Sequence, residues 1–179
     1  MNEERCCPIA ECNVEVERER MSSETVSEDT LLVSVFRLGG AMFGIPAAQI
    51  QEVVQMGSLT PVRHAPPFII GIRNLRGRIV TVIDLRVRLE LGEADRGPDS
   101  RILIVDSEGE LVGLLVDRVD DIVFLREEDM SPPPSNLGAL KEKALRGVYR
   151  STHGLVTLLD HNPILEADAK SSNAKAARP

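Results

Sequence analysis

The sequence predicts a mainly β protein: two homologous five-stranded barrels in tandem, with short helical turns. Three observations predict it. The first is a repeat. Residues 71–84 read GIRNLRGRIVTVID and residues 147–160 read GVYRSTHGLVTLLD, so that thirteen residues separate the leading Gly from the closing Asp in both. Upstream, GIPAAQIQEVV from Gly44 matches GLLVDRVDDIV from Gly113 without a gap. Two correspondences in the same order mark one structural unit used twice, too long and too few for a solenoid repeat. The second is composition. Apolar residues make up 42% of the 179, with no Trp, one Tyr and four Phe, so the core is aliphatic. Val, Ile and Leu in short runs favour strands. The third is punctuation: Gly and Pro turn signals separate those runs at short intervals, and closing such strands into barrels removes exposed edges.

The elements follow in order. Residues 1–29 are a polar, acidic tail. A strand is expected over Leu31–Leu38, then a Gly39-Gly40 turn and a second strand over Ala41–Ile45. Pro46 opens a short turn or helix, and Ile50–Gln55 resumes as a strand. A loop carrying Pro61, Pro66 and Pro67 leads to Ile69–Leu75 and Arg78–Ile83, split by a tight turn at Arg76-Gly77. The second copy has strands over Arg101–Asp106, Leu111–Val116, Val119–Leu125, Leu145–Arg150 and Leu155–Leu159. Its turn is Ser107-Glu108-Gly109 and its loop holds Pro132-Pro133-Pro134. Barrel one is expected over about 30–92 and barrel two over about 100–165, with terminal strands free to exchange between them. Residues 166–179 lack apolar periodicity and read as a flexible C-terminal tail.

The formal net charge of −7 is unevenly spread, because residues 1–30 hold nine acids against three Arg, a net of −6. The rest is nearly neutral. No basic face dominates and few aromatics are available to stack bases, which argues against nucleic acid as partner. No stretch approaches the roughly 20 apolar residues of a membrane span, and residues 1–20 lack the apolar core of a signal peptide. Cys6, Cys7 and Cys12 all fall in the acidic tail. Their spacing does not match a C-x₂-C metal site, and no His lies near them. No metal or cofactor is expected.

Candidate site residues can be weighed one by one. Asp84 and Asp160 end equivalent strands. A carboxylate pair invites an acid/base reading, but equivalence by duplication predicts one structural job done twice, capping the helical turn that follows. Asn74, just before Arg76-Gly77, is expected to satisfy turn backbone groups. His64, His153 and His161 are expected in exposed loops, without ligand spacing to any Cys or His. No nucleophile elbow, P-loop or dinucleotide fingerprint is present, and nothing proposes a reaction. Arg76 stands at a hairpin turn, exposed by geometry, with a planar fork suited to a carboxylate. Glu52 is expected to face outward on its strand if Ile50 and Val54 share a face. An exposed Ile50 would be an apolar anchor. Charge also differs between the copies: residues 57–92 hold six Arg and two acids, and residues 101–130 hold nine acids and three Arg. A module with one basic and one acidic face could orient two partners or successive subunits of a ring.

The run Gly71-x-x-Asn74-Leu75-Arg76-Gly77-x-Ile79-Val80-x-Val82-Ile83-Asp84-Leu85-Arg86 resembles the signature of the CheW family of bacterial chemotaxis coupling proteins. The resemblance covers about residues 31–165. It implies two intertwined SH3-like barrels and a non-catalytic adaptor without cofactors, cytoplasmic and held at membrane receptor arrays. Its partners would be the cytoplasmic tip of a methyl-accepting chemoreceptor and the regulatory domain of the CheA histidine kinase, with ring assembly open to two proteins of one fold. Ile50, Glu52 and Arg76 match receptor-contact positions of the family. Asp120 and Asp121 are expected at the rim of a kinase face on the second copy. Thr81 departs from the Pro common in the family, and the Cys-bearing tail is no family feature. A paralogue serving another chemosensory pathway is the first alternative. A β-barrel that binds or turns over a small ligand is the second.

Overall fold

The structure is a computed structural model that describes residues 30–92, 96–133, 143–151 and 154–166, apart from the side chains of Glu127 and Glu166. The tail expected over 1–29, with its three cysteines, and the residues after 166 lie outside the described residues. Copy one forms β1 (Thr30–Leu38), β2 (Ala41–Pro46), β3 (Ile50–Gln55), β4 (Ile69–Leu75) and β5 (Arg78–Asp84), followed by the short helix α1 (Leu85–Arg88). Copy two forms β6 (Arg101–Ser107), β7 (Glu110–Val116), β8 (Arg118–Arg126), β9 (Met130–Ser131), β10 (Leu145–Ser151) and β11 (Gly154–Leu159), followed by α2 (His161–Glu166). The mainly β, two-barrel expectation holds, and each expected strand is present within a residue or two. β9 was not anticipated, because two residues carry no readable periodicity.

The two sheets do not follow the two copies. One sheet has the order β8-β1-β2-β11-β10-β9 and the other β3-β6-β7-β5-β4. Each copy thus contributes its first two strands to the barrel completed by the other. The crossing points are parallel pairs, β2 with β11 and β5 with β7. Their registers are equivalent: Thr157 faces Phe43 in one, and Thr81 faces Val112 in the other. Below, the sheet containing β1 is barrel A and the sheet containing β3 is barrel B.

Both barrels close in the same way. In barrel A the end strands β8 and β9 are joined by a 3-10 turn over Glu127–Asp129, and β9 bonds to β10. In barrel B the chain leaving β3 returns to β4 at a single bridge, with Thr60 and Ile72 exchanging backbone hydrogen bonds of 2.9 and 2.8 Å. The leading glycine of each repeat sits at this closure. A Cβ on Gly71 would lie 2.7 Å from the Thr60 carbonyl oxygen, and one on Gly147 would lie 3.0 Å from that of Ser131. The repeat keeps Gly there because a second backbone passes too close for a side chain.

Three apolar cores result. Val33, Val35, Leu125, Val156 and Leu158 fill barrel A, and Val80, Val82, Ile102, Ile104, Leu111 and Leu115 fill barrel B. The largest core lies between them, where Phe36, Leu38, Phe43 and Ile45 meet Ile83, Leu103, Val105, Leu114 and Val116. The strands between two cores are covered on both faces, which is why they read as continuous apolar runs rather than alternating ones. The helices cap this shared core with Leu85, Leu89 and Ile164. Arg88 ties them together, its Nε and Nη2 donating to the Ile164 carbonyl at 2.9 and 2.8 Å. No helix among the described residues is long and apolar enough to cross a membrane.

Candidate functional site

Arg76 is placed by the β4–β5 hairpin. Its φ is 52° and that of Gly77 is 86°. Positive φ at both central residues is the turn geometry that matches strand twist. Asn74 Oδ1 accepts the Gly77 amide at 2.8 Å, as the sequence leads one to expect. The guanidinium therefore stands at a hairpin tip, 79% exposed, and its Nη2 donates to Glu52 Oε1 at 2.8 Å. Glu52 comes from β3, the opposite end of the barrel B strand order, and reaches Arg76 only because the barrel is closed.

Ile50 does not join them. The pairing of β3 with β6 shifts register between Ile50 and Glu52, with Ile50 opposite Val105 and Glu52 opposite Ile104. Gln51 is the extra residue of this β-bulge. A bulge reverses the alternation beyond it. Ile50 consequently packs half-buried on the core between the barrels, whereas Val54 packs on the core of barrel B. The expectation that Ile50 and Val54 share a face is corrected by the bulge. Glu52 lies on the Val54 side, at the barrel mouth, and Ile50 is half-buried. The most exposed apolar strand residues among those described are Ile79 (61%), Phe124 (60%), Leu155 (58%) and Ile122 (54%). Ile79 and Leu155 are equivalent in the repeat, a signal the sequence already held.

Asp120 and Asp121 differ sharply. Asp120, on β8, accepts from Arg37 Nε on the adjacent β1 and from Arg118 Nε, both at 2.6 Å. Burial pushes its carboxyl up. The hydrogen bonds from Arg118 and Arg37, with their charges, outweigh that and hold it below the usual carboxylate range. The same bond and charge raise Arg118. Asp120 is thus committed within the chain. Asp121 is exposed, and its Oδ1 accepts only the neighbouring Ile122 amide, at 2.7 Å, among the described residues. Part of the charge asymmetry between the copies is likewise internal: Arg86 of copy one meets Asp117 of copy two at 3.4 Å.

The Asp pair has the expected structural role. Asp84 is 1% exposed and caps α1, Oδ1 accepting the Arg86 and Val87 amides at 3.1 and 3.3 Å. Asp160 Oδ1 accepts the Asn162 amide at 3.0 Å. His161 corrects the sequence reading. It is 4% exposed, with Nδ1 3.1 Å from Gln49 Oε1 and Nε2 3.3 Å from the Asp106 carbonyl oxygen. The repeat aligns it with buried Leu85, so the offset of 76 could have placed it inside. His64 is exposed, and His153 lies outside the described residues.

These features define a class: a double-barrel β protein whose distinctive side chains stand on hairpin tips and exposed strand faces. The comparisons give the family. Residues 33–169 match the CheW-like domain. The chain is 29% identical over 149 residues to chemotaxis protein CheW of Klebsiella aerogenes, covering 83% of this chain and 88% of that one. It is 30% identical over 141 residues to protein FrzA of Myxococcus xanthus, covering 78% and 88%. The crystal structure of scaffolding protein TtCheW from Thermoanaerobacter tengcongensis superposes with a TM-score of 0.70 at 30% identity, over 78% of this chain and 90% of that one. The chain belongs to the CheW-like domain family, a family of chemosensory scaffolds.

Proposed function

We propose that the chain is a non-catalytic adaptor that couples the cytoplasmic tip of a methyl-accepting chemoreceptor to the CheA histidine kinase. It would work in the cytoplasm, at membrane-bound receptor arrays. The observation that carries this reading is the open Arg76–Glu52 pair at the mouth of barrel B, on positions that match the family's receptor contacts. Exposed apolar strand residues on both barrels fit a module with more than one protein-binding face. The kinase face is assigned to barrel A, with Asp121 rather than Asp120 as its accessible rim charge. The test is a pull-down from native lysate with wild type and Arg76→Ala. Wild type should recover a receptor and a histidine kinase together, and Arg76→Ala should lose the receptor while keeping the kinase. Loss of both in parallel, or recovery of neither by wild type, rejects the assignment.

A further inference from the structure

The β-bulge that aims Glu52 is held from both sides, and one of the holds comes from the last helix of the fold. Ile50 closes the 3-10 turn over Ala47–Gln49, its amide donating to the Ala47 carbonyl. On one side of Ile50, Gln49 Oε1 lies 3.1 Å from Nδ1 of His161, the first residue of α2. On the other side, Gln51 Nε2 donates to Asp106 Oδ2 at 3.3 Å. Asp106 is common to both holds. Its carbonyl oxygen lies 3.3 Å from His161 Nε2, and its Oδ1 accepts the Gly109 amide at 2.9 Å. The backbone entering Glu52 is thus fixed to β6 and to α2 before Glu52 meets Arg76.

Barrel A holds its own bulge differently. By the spacing that pairs Gly44 with Gly113, Gln49 corresponds to Arg118, Gln51 to Asp120, and Asp106 to Arg37. Val119 packs on the core between the barrels and Val123 on the core of barrel A, although strand residues four apart share a face unless a bulge intervenes. Arg37 bonds Asp120 at 2.6 Å as Asp106 bonds Gln51, with donor and acceptor exchanged. Arg118, however, turns to Asp120 on its own strand. The Arg37 carbonyl accepts a backbone amide, that of Asp117, at 3.1 Å, where the Asp106 carbonyl faces His161. The equivalent of His161 is the fully buried Leu85, whose side chain has nothing to donate. The tie from helix side chain to bulge therefore belongs to barrel B, the barrel that carries the Arg76–Glu52 pair.

We infer that His161 is a positioning residue for the Arg76–Glu52 site. It acts through Gln49 and Asp106, locking the turn and the bulge that present Glu52 to its arginine. A histidine at a 4% exposed position that the sister copy fills with leucine does a job that packing alone does not ask for. A buried polar side chain is costly unless it is hydrogen-bonded, and the bonds of this one run to the turn before Glu52 and to the strand beside it. Without His161 the turn keeps its own backbone bond and Ile50 keeps its core contacts. Gln49 is then released, and Glu52 loses its fixed approach to Arg76. The inference rests on the adaptor reading only in taking that pair to be a receptor contact.

The test is His161→Leu in the full chain. Because leucine is the sister copy's residue, the melting temperature should not fall. Hydrogen–deuterium exchange over residues 47–52 should quicken, and the NMR signal of the Arg76 guanidinium should move. Retention of the chemoreceptor that wild type recovers from native lysate should drop about three- to tenfold, the scale of one lost hydrogen bond, with kinase recovery unchanged. His161→Gln keeps a donor for Gln49 and should regain most of the loss. Gln49→Ala should reproduce the loss, and adding it to His161→Leu should cost little more, since both cut one link. Should His161→Leu fail to fold, Gln49→Ala and His161→Gln carry the test. Unaltered exchange and Arg76 signal in folded His161→Leu or Gln49→Ala, unchanged receptor retention, additive losses, or parallel loss of receptor and kinase overturns the inference. If wild type recovers no receptor, the adaptor reading falls, and exchange and the Arg76 signal still decide the positioning role.

Discussion

Arg76 and Glu52 form a 2.8 Å ion pair across the mouth of barrel B, although 24 residues separate them and their strands occupy opposite ends of the sheet order. The pair is open to solvent on the arginine side. Exposed pairs contribute about 0–1 kcal/mol. Its geometry is therefore better suited to holding a fork ready for a partner than to stabilising the fold. Arg76→Ala should leave the unfolding free energy within about 0.5 kcal/mol of wild type while weakening receptor-tip binding by calorimetry. A large fall in melting temperature would make Arg76 structural.

Gly44 and Gly113 are equivalent in the repeat, and each faces a β-branched side chain of the preceding strand. A Cβ would lie 2.5 Å from Val33 Cγ1 at Gly44 and 2.6 Å from Ile102 Cγ2 at Gly113. Overpacking of this kind costs about 1–3 kcal/mol. Gly44→Ala and Gly113→Ala should each lower the denaturation midpoint, by similar amounts. Double variants Gly44→Ala/Val33→Ala and Gly113→Ala/Ile102→Ala should cost less than the sum of their single changes. Additive losses would show that the clash is not the cause.

The two Asp caps should be unequal. Asp84 is buried and bonds two amides, so Asp84→Ala should cost about 1–2 kcal/mol, the upper part of the range for lost N-caps. Asp160 is half-buried and bonds one amide, so Asp160→Ala should cost less. Chemical denaturation of both variants checks the order, and the reverse order would refute the capping account.

The carboxyl of Asp120 is held below its ordinary value when folded. Its contribution to stability is thus fully present above the unfolded carboxylate pKa of about 3.9. That contribution fades as pH falls through the lower folded value, because protonation releases Arg37 and Arg118. Asp120→Asn should destabilise the protein at neutral pH and flatten the acid limb of its stability curve. An unchanged acid limb would mean the ion pairs contribute nothing.

How much of the site was legible differs by residue. Arg76 was readable as an exposed turn arginine, since Arg-Gly between apolar strands specifies the hairpin locally. Asn74 and Asp84 were readable for the same reason: their partners lie within three residues. His161 was misread because a histidine next to a helix start looks polar and exposed. Only its alignment with Leu85 reveals the buried position. The commitment of Asp120 was unreadable, because one of its two partners is Arg37, 83 residues away.

The sequence by itself determined the duplication, the strands, the turns and caps, and the aliphatic cores. Each of these depends on periodicity or on neighbours a few residues apart. Tertiary structure decided which strands share a barrel, with β1 and β2 crossing to pair beside β10 and β11. It placed the bulge at Gln51 that turns Ile50 away from Glu52. The reason is physical. A strand's residue pattern states which faces are apolar, but not which distant strand covers them. In a duplicated chain the two copies offer nearly the same apolar faces, so only the packing of the shared core between the barrels selects the exchanged arrangement.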